Sequence, residues 1–425
     1  MTEFQQPAPL RICFVSRRFF PTISGMSVYA ANLLRELVRL GHDVTMIAQY
    51  RGDALGTRVY GGGAPLTVPG VRVIGLRSEG EENGGDFEAD VAVIVATIVR
   101  EHAQQPFDLL HAQYGYPPGL AVLEASKQLG LPNVVSIQGG DGHWVGLCCA
   151  THKAAMLAVL GHAGALLIGS RSFAEEVRHN HGTPLDHFTI VPGAVEVERF
   201  RPRAGGRAGQ YADPTRPVLL YHGRVDARKG VLDLIRAFKA LESEGWDMAT
   251  GRPRLLISGI GPDSDRVADE VNALALGDVV ELLGYVAYDD VPSVYHRGDI
   301  FVSPTYAEGF SNTILEAMAS GLPIVSTQAV GVVDCLRDDD NALLVQPGDV
   351  AALAAALRRM LSDAALRARL ATQAHAEVQS QYAWPIIARQ IADVYAQLRG
   401  TPPDNDWTLP TERTPCRFRL QPHLL

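Results

Sequence analysis

Two carboxylates, Glu308 and Glu316, bracket the stretch most able to do chemistry. The strand-like run Asp299–Ser303 leads into it. A helix-like run without proline follows and is closed by Gly321 and Pro323. This places Glu308 in a strand-to-helix loop beside Gly309 and Phe310, with Ser311 or Asn312 as the helix cap. Glu316 then lies about one turn inside the helix. Such a loop offers backbone N–H groups and a positive helix end to an anion. The carboxylates offer acceptors to nearby hydroxyls. A diphosphate attached to sugars needs both.

Basic residues stand upstream, in Gly223-Arg224-Val-Asp-Ala-Arg228-Lys229-Gly230, after the strand-like run Val218–His222. Arg224 and Lys229 there would meet negative charge that grows on a departing diphosphate, Arg as a fork and Lys as a compact charge. The plain alternative is a solvated basic loop. Gly25, with no Cβ, would let backbone approach a diphosphate. Gly259, in Gly259-Ile-Gly261-Pro262, would border the nucleotide base. Gln138, Asp141 and His143 follow the strand-like run Asn133–Gln138. They are candidates for sugar or acceptor contacts, with His143 alternatively a satisfied loop histidine. Arg17 and Arg18, just past the first strand, suit an anionic acceptor or a membrane surface if they are not simply solvated.

These stretches carry a family resemblance over roughly residues 10 to 398. Glu308 to Glu316 resembles the E-x7-E element of retaining glycosyltransferases with the GT-B fold, in particular family 4. Gly223 to Gly230 resembles that family's basic loop. Phe20-Pro21, Gly25, Tyr29, Asn32-Leu33 and Gly41-His42-Asp43-Val44 resemble its first β-α-β unit. Ser136 to His143 resembles its V-H-G-x-D segment, with Gln138 in the histidine's place. The resemblance implies transfer of a hexose-type unit with retained configuration, by front-face attack in which the phosphate takes the acceptor's proton. Glu308 would serve the transferred sugar and Glu316 the ribose. No metal site is expected, because no Asp-x-Asp stands on a suitable loop and Asp263-Ser264-Asp265 reads as a first helical turn. No cofactor is expected beyond a UDP- or GDP-sugar co-substrate. The acceptor would be a glycan, a lipid-linked molecule or a small molecule, in cell-envelope or exopolysaccharide synthesis. Alternatives are a nucleotide-sugar epimerase or sugar phosphorylase of the same fold, or a non-catalytic nucleotide-sugar-binding subunit. A dehydrogenase is excluded, because the first β-α turn lacks G-x-G-x-x-G.

Composition narrows the field. A chain of 425 residues suits two domains. A net charge of −9 argues against nucleic acid as partner. Five scattered cysteines, with Cys148 and Cys149 adjacent and no C-x-x-C, read as reduced thiols. No signal peptide and no run of about 18 apolar residues is visible, so the expectation is a cytoplasmic protein, with peripheral contact at the inner membrane face left open.

Strand-like and helix-like runs alternate throughout, which implies parallel sheets covered on both faces. The expected fold class is α/β, with two facing Rossmann-like domains whose strand ends line a shared cleft. The expected division is an acceptor domain at 1–200, a linker at 201–217 and a donor domain at 218–382. A crossover helix at 383–399, returning to the first domain, and a disordered tail at 400–425 would follow.

Overall fold

The computed structural model describes residues 8–52, 62–206, 208–213, 215–243 and 252–421. The chain forms two compact α/β units. One runs to Pro192 and resumes at Trp384; the other spans Gly193–Ala383.

The first unit contains β1 (Arg11–Ser16), β2 (Asp43–Tyr50), β3 (Val71–Arg77), β4 (Leu109–Gln113), β5 (Asn133–Ile137), β6 (Ala165–Ile168) and β7 (Phe188–Ile190). Their order is β3-β2-β1-β4-β5-β6-β7, and every neighbouring pair is parallel. Strands covered on both faces should read as continuous apolar runs. β1 does so: Ile12 through Ser16 are all buried. Several of the connecting helices start on side-chain caps. Ser24 accepts from the Ser27 amide before Gly25–Arg39, and Ser170 from the Phe173 amide before Arg171–His181.

The second unit contains β8 (Val218–His222), β9 (Arg254–Ser258), β10 (Val280–Gly284), β11 (Ile300–Ser303), β12 (Ile324–Thr327) and β13 (Leu343–Val345). The order is β10-β9-β8-β11-β12-β13, again parallel. Both sheets are doubly wound. Strand order reverses at β1/β4 in the first and at β8/β11 in the second, and beyond the carboxyl ends of such strands ligands are held.

Three segments differ from expectation or sharpen it. The presumed linker is folded onto the second unit. Phe200 is buried in that unit's core against Tyr295. Arg203 pairs with Asp299 at 2.9 Å, and Asp299 also accepts from the Ala212 amide at 2.7 Å. Pro and Gly composition did not register these anchors. The last helix, Trp384–Leu398, does return to the first unit. Its Tyr395 hydroxyl lies 2.6 Å from His111 Nδ1, and Trp384 meets Tyr29 edge-on. The tail is ordered through Gln421 instead of disordered. Phe418 is buried, Arg419 pairs with Glu88, and Lys127 donates to the Asn405 carbonyl at 2.9 Å.

Candidate active site

The loop after β8 is built by close backbone approach. The Gly223 amide donates to the Ser258 carbonyl at 3.0 Å. A Cβ on Gly259 would lie 1.8 Å from the Gly223 carbonyl oxygen, so that position needs glycine. The Tyr221 hydroxyl donates to the Arg224 carbonyl at 2.6 Å. Asp226 then caps the short turn Ala227–Lys229. Burial raises the Asp226 pKa, but bonds from the Arg228 side chain and amide more than offset this and bring it to about 2. Arg224 lies 3.4 Å from the same carboxylate.

The loop after β11 is laced to this one. The Tyr306 amide donates to the Arg228 carbonyl at 3.0 Å. The Lys229 ammonium reaches the Ala307 carbonyl at 3.4 Å and the Glu308 carboxylate at 2.8 Å. Glu308 is held from behind, its amide donating to the Val330 carbonyl at 2.9 Å. Thus Lys229 and Glu308, 79 positions apart in the sequence, meet as a partly exposed ion pair at the switch point.

The helix Asn312–Ala319 follows, with Ser311 at its cap; the Ser311 hydroxyl makes no capping bond and pairs with the Thr313 hydroxyl instead. Phe310 turns its ring toward Gly193 and Tyr382, so Gly309 to Asn312 can serve a ligand mainly through backbone. Glu316 is buried one turn in, and the Tyr295 hydroxyl donates to its Oε2 at 2.7 Å. Burial pushes the Glu316 pKa up to about 7, with the Tyr295 bond partly opposing.

The first-unit candidates divide. Gly25, expected in the loop, is the first residue of the helix Gly25–Arg39. The Gln113 side-chain amide donates to the Met26 carbonyl and to Gln138 Oε1, both at 2.9 Å, and so ties the Gly25 loop to Gln138. Gln113 was not singled out from sequence; the available signal was a polar residue closing an apolar strand at the sheet's carboxyl edge. Asp141 departs from expectation. It is fully buried and accepts from the amides of Gly115, Gln138 and Gly139, so it braces the loop from within instead of facing an acceptor. Its pKa rises to about 6 because burial outweighs those bonds. His143 is engaged by Glu176 at 2.8 Å and stacks on Trp144. Arg17 is not solvated: its side chain is 3% exposed and pairs with Glu81 at 2.9 Å, with Arg18 and Arg51 at 3.4 and 3.7 Å from that carboxylate.

Comparison with known proteins finds matches to both halves of the chain. The glycosyl transferase 4-like domain matches residues 24–194, and glycosyl transferases group 1 matches residues 207–377. The chain is 26% identical to glycogen synthase of Mycobacterium tuberculosis (strain ATCC 25618 / H37Rv) over 92% of its own length and 96% of that protein. It is 27% identical to D-inositol 3-phosphate glycosyltransferase of Xylanimonas cellulosilytica, over 88% and 91%. Among solved structures, sucrose-phosphate synthase from Thermosynechococcus elongatus superposes with a TM-score of 0.76 at 23% identity, over 92% of this chain and 99% of that one. HepE from Anabaena, solved in complex with UDP and glucose, gives 0.70 at 16% identity, over 92% and 100%. With both halves matched in order and the two switch-point loops laced as described, the chain belongs to the glycosyl transferases group 1 family, as a family 4 glycosyltransferase of the GT-B fold.

Proposed function

We propose that the protein is a retaining, metal-independent glycosyltransferase that moves a hexose-type unit from a UDP- or GDP-sugar. The observation that carries this is the second unit's switch point, where Lys229 pairs with Glu308 at 2.8 Å and a buried Glu316 sits one turn inside the helix that follows. The diphosphate binds at the positive end of the Asn312–Ala319 helix. Lys229 then turns from Glu308 to phosphate oxygens, and Arg224 adds a second cation. As the glycosidic bond breaks, charge builds on the leaving diphosphate, and fixed cations stabilise that state most. Glu308, released, faces the sugar and stabilises the cationic anomeric carbon. Glu316 accepts from the ribose hydroxyls. The paired cations take the role a divalent ion would otherwise fill, and no cofactor is required.

The acceptor is a glycan, a lipid-linked molecule or a small molecule. The relative named for D-inositol 3-phosphate favours a phosphorylated small acceptor, and the three guanidinium groups around Glu81 in the first unit suit an anion. Among the described residues no helix is long and apolar enough to cross a membrane, and we place the reaction in the cytoplasm, with peripheral membrane contact where the acceptor is lipid-linked. A thermal-shift screen with UDP, GDP, ADP and their common sugars tests the reading. The true nucleotide at about 100 times its dissociation constant adds about 2.7 kcal/mol of stability. No shift with any nucleotide refutes donor binding. Nucleotide release that needs no acceptor, with an isomerised sugar as product, favours an epimerase.

A further inference from the structure

Far from the switch-point loops in sequence, the first unit gathers three thiols and an imidazole. Cys148, Cys149, His152 and Cys416 place one ligating atom each within 4.8 Å of every other. Cys148 Sγ lies 3.1 Å from His152 Nδ1, and Cys416 Sγ lies 3.7 Å from the same nitrogen. Cys149 caps the helix Ala150–His162, and its sulfur accepts from the His152 amide at 3.4 Å. All four cysteine and histidine side chains converge, and the cysteines are free thiols.

The geometry points to a structural zinc site of Cys3His type, closed by the carboxy-terminal tail. A tetrahedral zinc with Zn–S near 2.3 Å and Zn–N near 2.05 Å needs sulfur–sulfur edges of about 3.8 Å and sulfur–nitrogen edges of about 3.6 Å. The two sulfur–nitrogen separations bracket that second edge, and no separation within the cluster exceeds 4.8 Å, about 1 Å beyond the first. His152 is fully buried, and it is Nδ1 that turns to the sulfurs. Four protein ligands leave no open position, so the ion holds structure and does no chemistry. What it holds is the tail: Cys416 is the only one of the four outside the 148–152 segment. Its neighbours are already seated, with the Thr414 amide donating to the Thr151 hydroxyl at 2.8 Å and Phe418 buried. The ion would bind through thiolates, releasing thiol protons as it enters. It is separate from the transfer chemistry, which stays metal-independent.

Elemental analysis of the tag-free full-length chain, purified without chelator, tests this. About one zinc per chain is expected, and Cys416→Ser or His152→Ala should lower it to background. Cobalt(II) added to the chelated wild-type protein should give thiolate-to-cobalt charge-transfer bands and the visible bands of a tetrahedral ion, which needs no variant to fold. Chelation should also open residues 400–421 to protease, with zinc restoring protection. The assignment is overturned if zinc stays at background after dialysis against the metal and cobalt gives no thiolate bands. It is equally overturned if the denatured, chelated chain titrates two fewer thiols than its five cysteines, because the cluster would then be a disulfide.

Discussion

Glu316 should make nucleotide binding depend on pH in a way that can be worked out beforehand. In the free protein burial raises its pKa to about 7. To accept two ribose hydroxyls it must be ionised, so binding and deprotonation are linked. Affinity then scales with the ionised fraction. It falls elevenfold from its limit at pH 6 and by about one tenth at pH 8, a net change of about tenfold, or ~1.4 kcal/mol. Binding therefore strengthens as pH rises from 6 to 8. Titration calorimetry with the preferred nucleoside diphosphate at both values measures this. The terminal phosphate, with a pKa near 6, adds roughly twofold of its own, and Glu316→Gln isolates that part because Gln does not titrate. Tyr295→Phe is a second handle. The Tyr295 hydroxyl lowers the Glu316 pKa, so its loss should move the midpoint upward. Equal pH slopes in wild type and Glu316→Gln would refute the reasoning. The stability consequence has a definite sign. A carboxyl whose folded pKa is raised keeps a proton that the unfolded chain releases. Stability from this group is thus present below the unfolded value near 4.5, falls as pH rises toward 7, and is flat above.

Other outcomes follow from the same loops. Lys229→Ala and Arg224→Ala should each lower transfer by two to three orders of magnitude, about 3–4 kcal/mol, in steady-state assays; near-normal turnover would show that neither serves the phosphate. Glu308→Gln should lower the turnover number with little change in donor Michaelis constant, whereas Glu316→Gln should mainly raise that constant. Proton NMR of the new linkage should show the donor's anomeric configuration kept, and an inverted signal would rule out retention. Adding Mg²⁺ or Mn²⁺ to protein freed of those ions should leave initial rates unchanged; dependence on either would contradict charge supply by Arg224 and Lys229. Gly259→Ala should weaken nucleotide binding and lower the melting temperature, because its Cβ would lie 1.8 Å from the Gly223 oxygen at a φ of +129°.

How legible each part was depends on how local its cause is. β1 and β8 were readable because a strand buried on both faces must be apolar without a break. β13, Leu343–Val345, is three residues long and offers no such run. Glu308 and Lys229 could be paired only through the resemblance, since nothing near either residue encodes the other. Asp141 reads as an acceptor contact from its place after a strand end, in the segment that resembles V-H-G-x-D. Its three backbone donors come partly from Gly115, in a different loop. The residues at 201–217 misled in the same way. Their Pro and Gly content is that of a linker, but Arg203, with Phe200 just upstream, ties the segment to β11 and its core. The cluster at Cys148 was half visible as an adjacent thiol pair, and its closing ligand arrives from 264 positions beyond His152.

Among the described residues the chain enters and leaves the second unit once, at Gly193 and Ala383, whereas the first unit is split around it. This sets an order on the ribosome. Domains fold as units while synthesis proceeds. The donor half has all of its sequence once residue 383 has emerged. The amino-terminal half, though made first, then still lacks Tyr395 for His111, Trp384 for Tyr29 and Arg419 for Glu88. The half begun earliest is therefore the last to be completed, and until then it waits with those partners' places uncovered. A stop codon near residue 384 would spare the sequence of the donor half and leave the other permanently unfinished.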